Sequence, residues 1–153
     1  MGLLFSAFPA GALVSSYEDA LSDYSKLGQC IYTGEKRQLL TRIVKETEVA
    51  LSTEEVQDDT EKKQRMQDIY LDGKRILKGI EDKIDEAIRD HMPAPGMTEK
   101  ELISSVGQPA TKSSYQEGRA EQWKYPQAYR AGRTLKTVYV YLKDGYVTNW
   151  KSN

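Results

Sequence analysis

The stretch Thr137–Lys151 reads TVYVYLKDGYVTNWK, and it decides the fold of the C-terminal part of the chain. Its first half alternates aliphatic residues with tyrosines: Val138, Tyr139, Val140, Tyr141 and Leu142. Alternation with a period of two is typical of a strand that turns one face toward a core. Asp144-Gly145 is a tight-turn signal, so the stretch predicts an antiparallel hairpin of strands Thr134–Leu142 and Tyr146–Lys151.

Two more strands are predicted upstream of this hairpin. They are Thr111–Gln116 and Ala120–Tyr125, with the turn signal Glu117-Gly118 between them. The polar segment that follows, from Pro126 to Gly132, is predicted to be a loop. The C-terminal region is therefore expected to be a small antiparallel sheet.

A short helix is predicted just before the first strand. Thr98 and Glu101 have the spacing of a capping box, so the helix Glu99–Val106 begins after Thr98. Gly107 suits the end of this helix, because glycine tolerates the left-handed conformation found there. The aliphatic face of the sheet is expected to pack on the apolar residues of this helix: Leu102, Ile103 and Val106.

The chain changes character at Met92–Gly96, where two prolines and a glycine end a charged, helix-favouring region. Apolar residues at helical spacing predict three helices in that region: Tyr17–Ile31, Glu35–Leu51 and Met66–Ile88. Ser52 and Glu55 have capping-box spacing, and the polar segment Gln57–Arg65 is predicted as a solvated helix or a turn.

The predicted fold class is therefore α+β. An N-terminal helical hairpin of two or three helices occupies residues 17–92. A Pro/Gly linker follows at 93–97, and a module of 98–153 places a short helix on a small antiparallel β-sheet.

Composition argues against several classes of function. The 153 residues include 22 Lys+Arg and 23 Asp+Glu, and a formal net charge of -1 argues against nucleic acid as a partner. With Cys30 as the one cysteine, an intrachain disulfide and a CxxC metal site are excluded. With His91 as the one histidine, so is a multi-histidine metal site. We expect no enzyme activity and no cofactor, with His91 at a helix end and Cys30 as a small buried residue.

The N-terminus, residues 1–16, has two interpretations. Leu3–Val14 is apolar and has the length of the hydrophobic part of a signal peptide, and two serines follow it. No Lys or Arg precedes Leu3, so an apolar arm that packs on the body is the alternative. Tyr17, rather than a cysteine, follows the serines, so lipid anchoring is not supported. A signal peptide predicts a periplasmic or outer-membrane-associated protein, and an arm predicts a cytoplasmic one.

The C-terminal string resembles a known family. Its elements are Gly96-Met97-Thr98, Val106-Gly107-Gln108-Pro109, Trp123-Lys124-Tyr125 and Asp144-Gly145-Tyr146-Val147. In this order they resemble the SmpA/OmlA (BamE-like) family over about residues 96–151. The resemblance implies a helix followed by a three-stranded antiparallel sheet, an architecture related to proteins that inhibit β-lactamases. It also implies a role in protein binding during outer-membrane assembly or in envelope integrity.

Aromatic residues of the sheet are the predicted partner-binding site. Trp123 and Tyr125 point the same way on one strand, either into the core or onto a binding surface. Tyr139, Tyr141 and Trp150 are expected on the exposed face. Basic residues interleave with these aromatics, as in surfaces for single-stranded nucleic acid or lipid headgroups, but a charged sheet edge is the favoured interpretation. The predicted site comprises Tyr139, Tyr141, Trp150, Trp123, Tyr125 and Arg133.

The sequence thus predicts a non-catalytic binding protein of the cell envelope with a protein partner, and peripheral contact with a membrane is compatible with it. One alternative is an inhibitor of a hydrolase that uses the same sheet. Another is a structural protein that self-associates through a stripe in the helical region: Ile69, Ile76, Ile80 and Ile84.

Overall fold

The computed structural model describes residues 14–126, 128–130, 133–135 and 137–153, and only the backbone of residues 14–16, 128–130 and 133–135. The predicted signal peptide or arm falls largely on residues 1–13, outside this range. The described chain forms two compact units. The first joins residues up to Gln29 with Leu39–Ile76, and the second joins Cys30–Gln38 with Leu77–Asn153.

The fold class is α+β, as predicted. The described helices are α1 (Val14–Lys26), α2 (Thr33–Leu51), α3 (Glu54–Gln57), α4 (Thr60–Arg89) and α5 (Glu99–Val106). The strands are β1 (Thr111–Tyr115), β2 (Ala120–Tyr125), β3 (Ala128–Arg130), β4 (Arg133–Leu135), β5 (Val138–Lys143) and β6 (Tyr146–Ser152). The helix α5 and the strand β2 have the bounds that the sequence predicted.

Two antiparallel sheets are present in the second unit. The larger has the order β1-β2-β5-β6, and β3 and β4 form a separate hairpin. The resemblance implied three strands, and this is corrected to four because β1 pairs along its whole length with β2. Two adjoining predictions are also wrong. The predicted strand Thr134–Leu142 is divided between β4 and β5, and the predicted loop 126–132 contains β3.

The core of the second unit lies on one face of the larger sheet. Its buried side chains are Ile84, Met97, Leu102, Trp123, Tyr125, Val138, Val140, Leu142 and Val147. Leu102 confirms the prediction that α5 covers this face. The end of α4 contributes as well, with Ile84 inside the cluster and Ile80, Ala87 and Ile88 packed against it.

The predicted linker 93–97 is part of this core and is not a loose connection. Met97 is fully buried. The backbone of this segment pairs with β6, because Gly96 N–H donates to Val147 O at 2.8 Å and Val147 N–H donates to Met97 O at 2.8 Å. Burial of an apolar side chain and two backbone hydrogen bonds hold the segment in place.

Two polar contacts fix α5 within this unit. Thr98 and Glu101 form the predicted capping box, with Thr98 N–H donating to Glu101 Oε2 at 2.7 Å. Arg37, on α2, donates to both oxygens of Glu101 at 2.7 and 2.8 Å. Burial opposes the charge of Glu101, but the hydrogen bonds from Arg37 and Thr98 outweigh it and lower the pKa of this carboxyl group.

The first unit is helical. Its buried apolar residues come from α1 to α4: Ala20, Leu39, Leu40, Ile43, Ala50, Val56, Met66 and Ile69. Tyr24 Oη donates to Asp72 Oδ2 at 2.9 Å, which ties α1 to α4. The capping box predicted at Ser52 and Glu55 is wrong by one residue. Thr53 is the cap of α3 and accepts from Val56 N–H, while Ser52 donates to Val49 O.

Candidate functional site

The face of the larger sheet opposite the core carries a cluster of tyrosines and lysines. Register defines it, because residues directly opposite each other on paired strands share a face. Lys124 pairs with Tyr139, Gln122 pairs with Tyr141, and Tyr139 pairs with Lys151 on the other side. We call this surface the tyrosine–lysine face and define it by Tyr115, Gln122, Lys124, Tyr139, Tyr141 and Lys151.

Lysine and tyrosine side chains contact each other across this face. Lys151 Nζ lies 5.7 Å from the centroid of the Tyr139 ring and 5.6 Å from that of Tyr141. Lys124 Nζ lies 5.9 Å from the Tyr139 centroid on the other side. These contacts orient the tyrosine rings while the ammonium groups stay in water.

The charge on this face is positive. A hydrogen bond with Tyr141 stabilises the charged form of Lys151 and raises its pKa. The outward positions of the four strands of the larger sheet carry no Asp or Glu: Thr111, Ser113, Tyr115, Ala120, Gln122, Lys124, Tyr139, Tyr141, Lys143, Tyr146, Asn149 and Lys151. A chain with a net charge of -1 thus presents a sheet face of the opposite sign.

Tyr139 and Tyr141 lie on this face, as predicted, and both side chains are half-buried. Tyr115 extends it at the edge strand and is 53% exposed, and its Oη donates to Gln122 Oε1 at 3.4 Å. Tyr115, Gln122, Lys124 and Lys151 were not among the residues predicted for the site. Because side chains alternate along β2, Gln122 points to the face of the sheet opposite that of its neighbour Trp123. This alternation could have placed Gln122 on the outward face.

Trp150 is on the core face, and its placement with Tyr139 and Tyr141 is corrected. A bulge between Tyr141 and Leu142 shifts the register, so that Val147 pairs with Leu142 and Trp150 pairs with Val140. Strict alternation from Val147 would have pointed Trp150 outward. The extra residue of the bulge turns it to the side of Val140, where it packs against the core.

Trp123 and Tyr125 also belong to the core and offer no binding surface. Trp123 is fully buried and Tyr125 is 3% exposed. Trp123 Nε1 donates to Glu121 Oε2 at 2.6 Å, and the Lys112 ammonium lies 3.6 Å from the centroid of its indole ring. Burial raises the pKa of the Tyr125 hydroxyl well above its ordinary value. Arg133 lies in β4, and its side chain is outside the described part of the structure.

Most side chains of the stripe predicted for self-association pack inside the chain. Ile69 is 5% exposed in the first unit, and Ile84 is 2% exposed in the second. Ile80 packs against the core of the second unit, and Ile76 is half-buried. A helix can pair with a second copy only through side chains that remain accessible. Ile69 and Ile84, the two most deeply buried members of this stripe, are not accessible.

The remaining findings concern metals, membranes and relatives. Within the described ranges, no three His, Cys, Asp or Glu residues lie where they could hold a metal ion. A helix long and apolar enough to cross a membrane is likewise not found among the residues searched. No protein-family model matches the chain, and no curated protein or solved structure matches it either.

Proposed function

We propose that this chain is a non-catalytic protein-binding module of the bacterial cell envelope. Its tyrosine–lysine face docks an acidic segment of a partner protein. The observation that carries this proposal is the composition of that face. Tyr139 lies between Lys124 and Lys151, Tyr141 contacts Lys151, and the outward positions of the larger sheet hold no carboxylate.

Tyrosine and lysine contribute differently to such a surface. Tyr139 and Tyr141 supply flat, stiff contact area with a polar tip, which is typical of residues that dominate protein interfaces. Lys124 and Lys151 favour partners of negative charge and speed their association. The cation–π contacts hold both lysines near the rings before binding, which reduces the entropy lost on docking.

An acidic protein fits this surface better than a nucleic acid does. Two lysines at the centre of the face would neutralise few phosphates, so counterion release would contribute little to the affinity for a nucleic acid. Placement in the envelope, in the periplasm or at the outer membrane, is supported by the resemblance of residues 96–151 to the SmpA/OmlA family and by the apolar stretch Leu3–Val14.

The test is cross-linked co-purification of the full chain, tagged at its C-terminus, from its native host. We expect one protein at near-equal amount with the wild type. We also expect its loss from the double variant Tyr139→Ser/Tyr141→Ser and from the charge reversal Lys124→Glu/Lys151→Glu. The matched control is Leu71→Ser, because Leu71 is 63% exposed and belongs to the first unit.

Two outcomes would contradict the proposal. The double variants could retain the partner while their circular dichroism matches that of the wild type, or nuclease treatment could abolish capture. If the captured protein is a hydrolase, its activity should be measured with and without the chain, because inhibition at a one-to-one ratio identifies the chain as an inhibitor.

A further inference from the structure

A cavity of about 260 Å³ opens where the first turns of α2 meet the turn between β5 and β6. Its lining residues are Tyr32, Glu35, Gln38, Lys143, Asp144 and Tyr146. All six belong to the second compact unit. Lys143 and Tyr146 lie at the end of the same sheet face, but none of the six is among the residues that define the tyrosine–lysine face.

The wall formed by Tyr146 is fixed in position without a ligand. Tyr146 pairs with Lys143 across the β5–β6 hairpin and forms an isolated bridge with Thr98. It also packs directly on the backbone of Gly34, where an added Cβ would lie 2.4 Å from Tyr146 Cβ. Contacts of this kind favour binding, because little of the site has to be ordered when a ligand enters.

The start of α2 and the residue before it supply three more lining residues. Glu35 and Gln38 are three residues apart, so they lie on the same face of the helix, one turn from each other. The Lys143 ammonium is held over the Tyr32 ring, 4.7 Å from its centroid. Asp144 adopts a positive φ of 50° in the hairpin turn.

The charges of this lining specify the charges of a complementary ligand. The lining contains two carboxylates, those of Glu35 and Asp144, and one ammonium group, that of Lys143. A matching ligand carries two cationic groups and one carboxylate. A basic α-amino acid has this set: an α-ammonium, a cationic side chain and a carboxylate.

Size and shape agree with a ligand of this class. Pockets for drug-sized molecules occupy roughly 300–1,000 Å³, and a cavity of about 260 Å³ suits a molecule the size of one amino acid. The lining includes two tyrosines, and tyrosine rings stack on a guanidinium plane, which favours arginine over a compact ammonium group. The Gln38 amide adds a donor and an acceptor for the polar end of the ligand.

The geometry points to a binding site for a free basic α-amino acid, with arginine preferred. Its two cationic groups pair with Glu35 and Asp144, its carboxylate pairs with Lys143, and its side chain lies between Tyr32 and Tyr146. The set of charges distinguishes the free amino acid from a peptide terminus, because a C-terminal arginine lacks the free α-ammonium.

The test is titration of the full-length ¹⁵N-labelled chain, followed by its amide spectrum, with four probes: L-arginine, citrulline, agmatine and Nα-acetylarginine. Arginine is expected to shift the amides of Gly34 and Gly145 with saturation. Citrulline lacks the side-chain charge, agmatine lacks the carboxylate, and acetylarginine lacks the ammonium. Each is expected to bind about tenfold more weakly, the effect of one charged hydrogen bond.

Variants locate the site. Glu35→Gln, Asp144→Asn and Lys143→Gln are each expected to weaken arginine binding about tenfold. Asparagine tolerates the positive φ at position 144, so that variant keeps the turn. The matched control is Asp82→Asn on α4, which removes a carboxylate outside the cavity and is expected to leave arginine affinity unchanged.

Three results would overturn the inference. The first is no spectral change up to about 10 mM arginine. The second is equal affinity for arginine and any of the other three probes. The third is unchanged affinity in a lining variant whose spectrum shows that it is folded.

Discussion

Among the described glycines, Gly34 leaves the least room for a side chain. It lies in the first turn of α2, and a Cβ there would fall 2.4 Å from Cβ of Tyr146 and 2.7 Å from its Cγ. Contacts this short require the helix and the hairpin to move apart. Gly79, on α4, is the useful comparison, because a Cβ there meets nothing within 4 Å.

The two glycines are therefore expected to respond in opposite ways to alanine. Gly34→Ala should lower the free energy of unfolding by about 1–3 kcal/mol, since overpacking outweighs the better helix propensity of alanine. Gly79→Ala should raise it by up to about 1 kcal/mol, since only propensity changes. Urea denaturation measures both, and equal or greater stability of Gly34→Ala would contradict the tight contact with Tyr146.

The face on which Trp150 lies could not be predicted from alternation along β6 alone. The alternation of Tyr139 and Tyr141 with valines was sufficient to place both tyrosines on the outward face, and the structure agrees. The same rule placed Trp150 wrongly, because one extra residue in a bulge exchanges the faces of every residue beyond it. A bulge depends on pairing between strands, and the local sequence of β6 carries no clear sign of it.

At the scale of elements, α5 is attached through Glu101. This carboxylate closes the capping box with Thr98 and pairs with Arg37 at 2.7 Å. The pKa of Glu101 is lowered in the folded chain. Its ion pair therefore stabilises the fold above the ordinary glutamate pKa of about 4.3, and this stabilisation is lost as the pH falls through the lowered value.

We expect Glu101→Gln to lower the free energy of unfolding by about 1–2 kcal/mol at pH 7. The difference from wild type should shrink as the pH falls below about 4.3, because the unfolded wild-type chain then binds a proton at Glu101, and it should vanish once the folded carboxylate is protonated too. Denaturation at several pH values measures this. Glu99→Gln, in the same helical turn and 3.7 Å from the exposed Lys112, should change stability by less than about 0.5 kcal/mol. A difference between Glu101→Gln and wild type that is constant down to pH 3 would contradict the assignment.

Elements were predictable where the signal is local. The bounds of α5 followed from a capping box at one end and a glycine at the other, where Gly107 has a φ of 89°. The turn at Asp144-Gly145 followed from residues that accept positive φ, and they have values of 50° and 79°. The hairpin of β3 and β4 was missed, because its strands are three residues each and show too few alternations to detect.

At the scale of the whole molecule, the two compact units do not correspond to two successive segments of the sequence. The composition change at Met92–Gly96 suggested a boundary there. The structure instead groups Cys30–Gln38 and Leu77–Asn153 in one unit. The end of α4 supplies Ile84 to the core of that unit, and this apolar packing depends on contacts between distant segments. A stripe of isoleucines indicates a buried face but does not identify what buries it.

The composition of the candidate site also depends on contacts between distant segments of the chain. The aromatic residues could be found from composition and alternation, but which of them face outward depends on burial and register. Trp123, Tyr125 and Trp150 serve the core, while Tyr139 and Tyr141 remain on the surface beside Lys124 and Lys151. The central claim is that this tyrosine–lysine face, and no other described surface, receives an acidic segment of a partner protein.

Site-specific photo-crosslinking tests that claim most directly. A photoreactive phenylalanine analogue is placed at Tyr141 of the full chain in its native host, with Leu71 as the control position, and cross-linked peptides are sequenced. The account predicts adducts from position 141 with one protein, at a segment rich in Asp and Glu, and none of these adducts from position 71. Equal adducts from both positions, or attachment at position 141 to a segment without excess acidic residues, would contradict it.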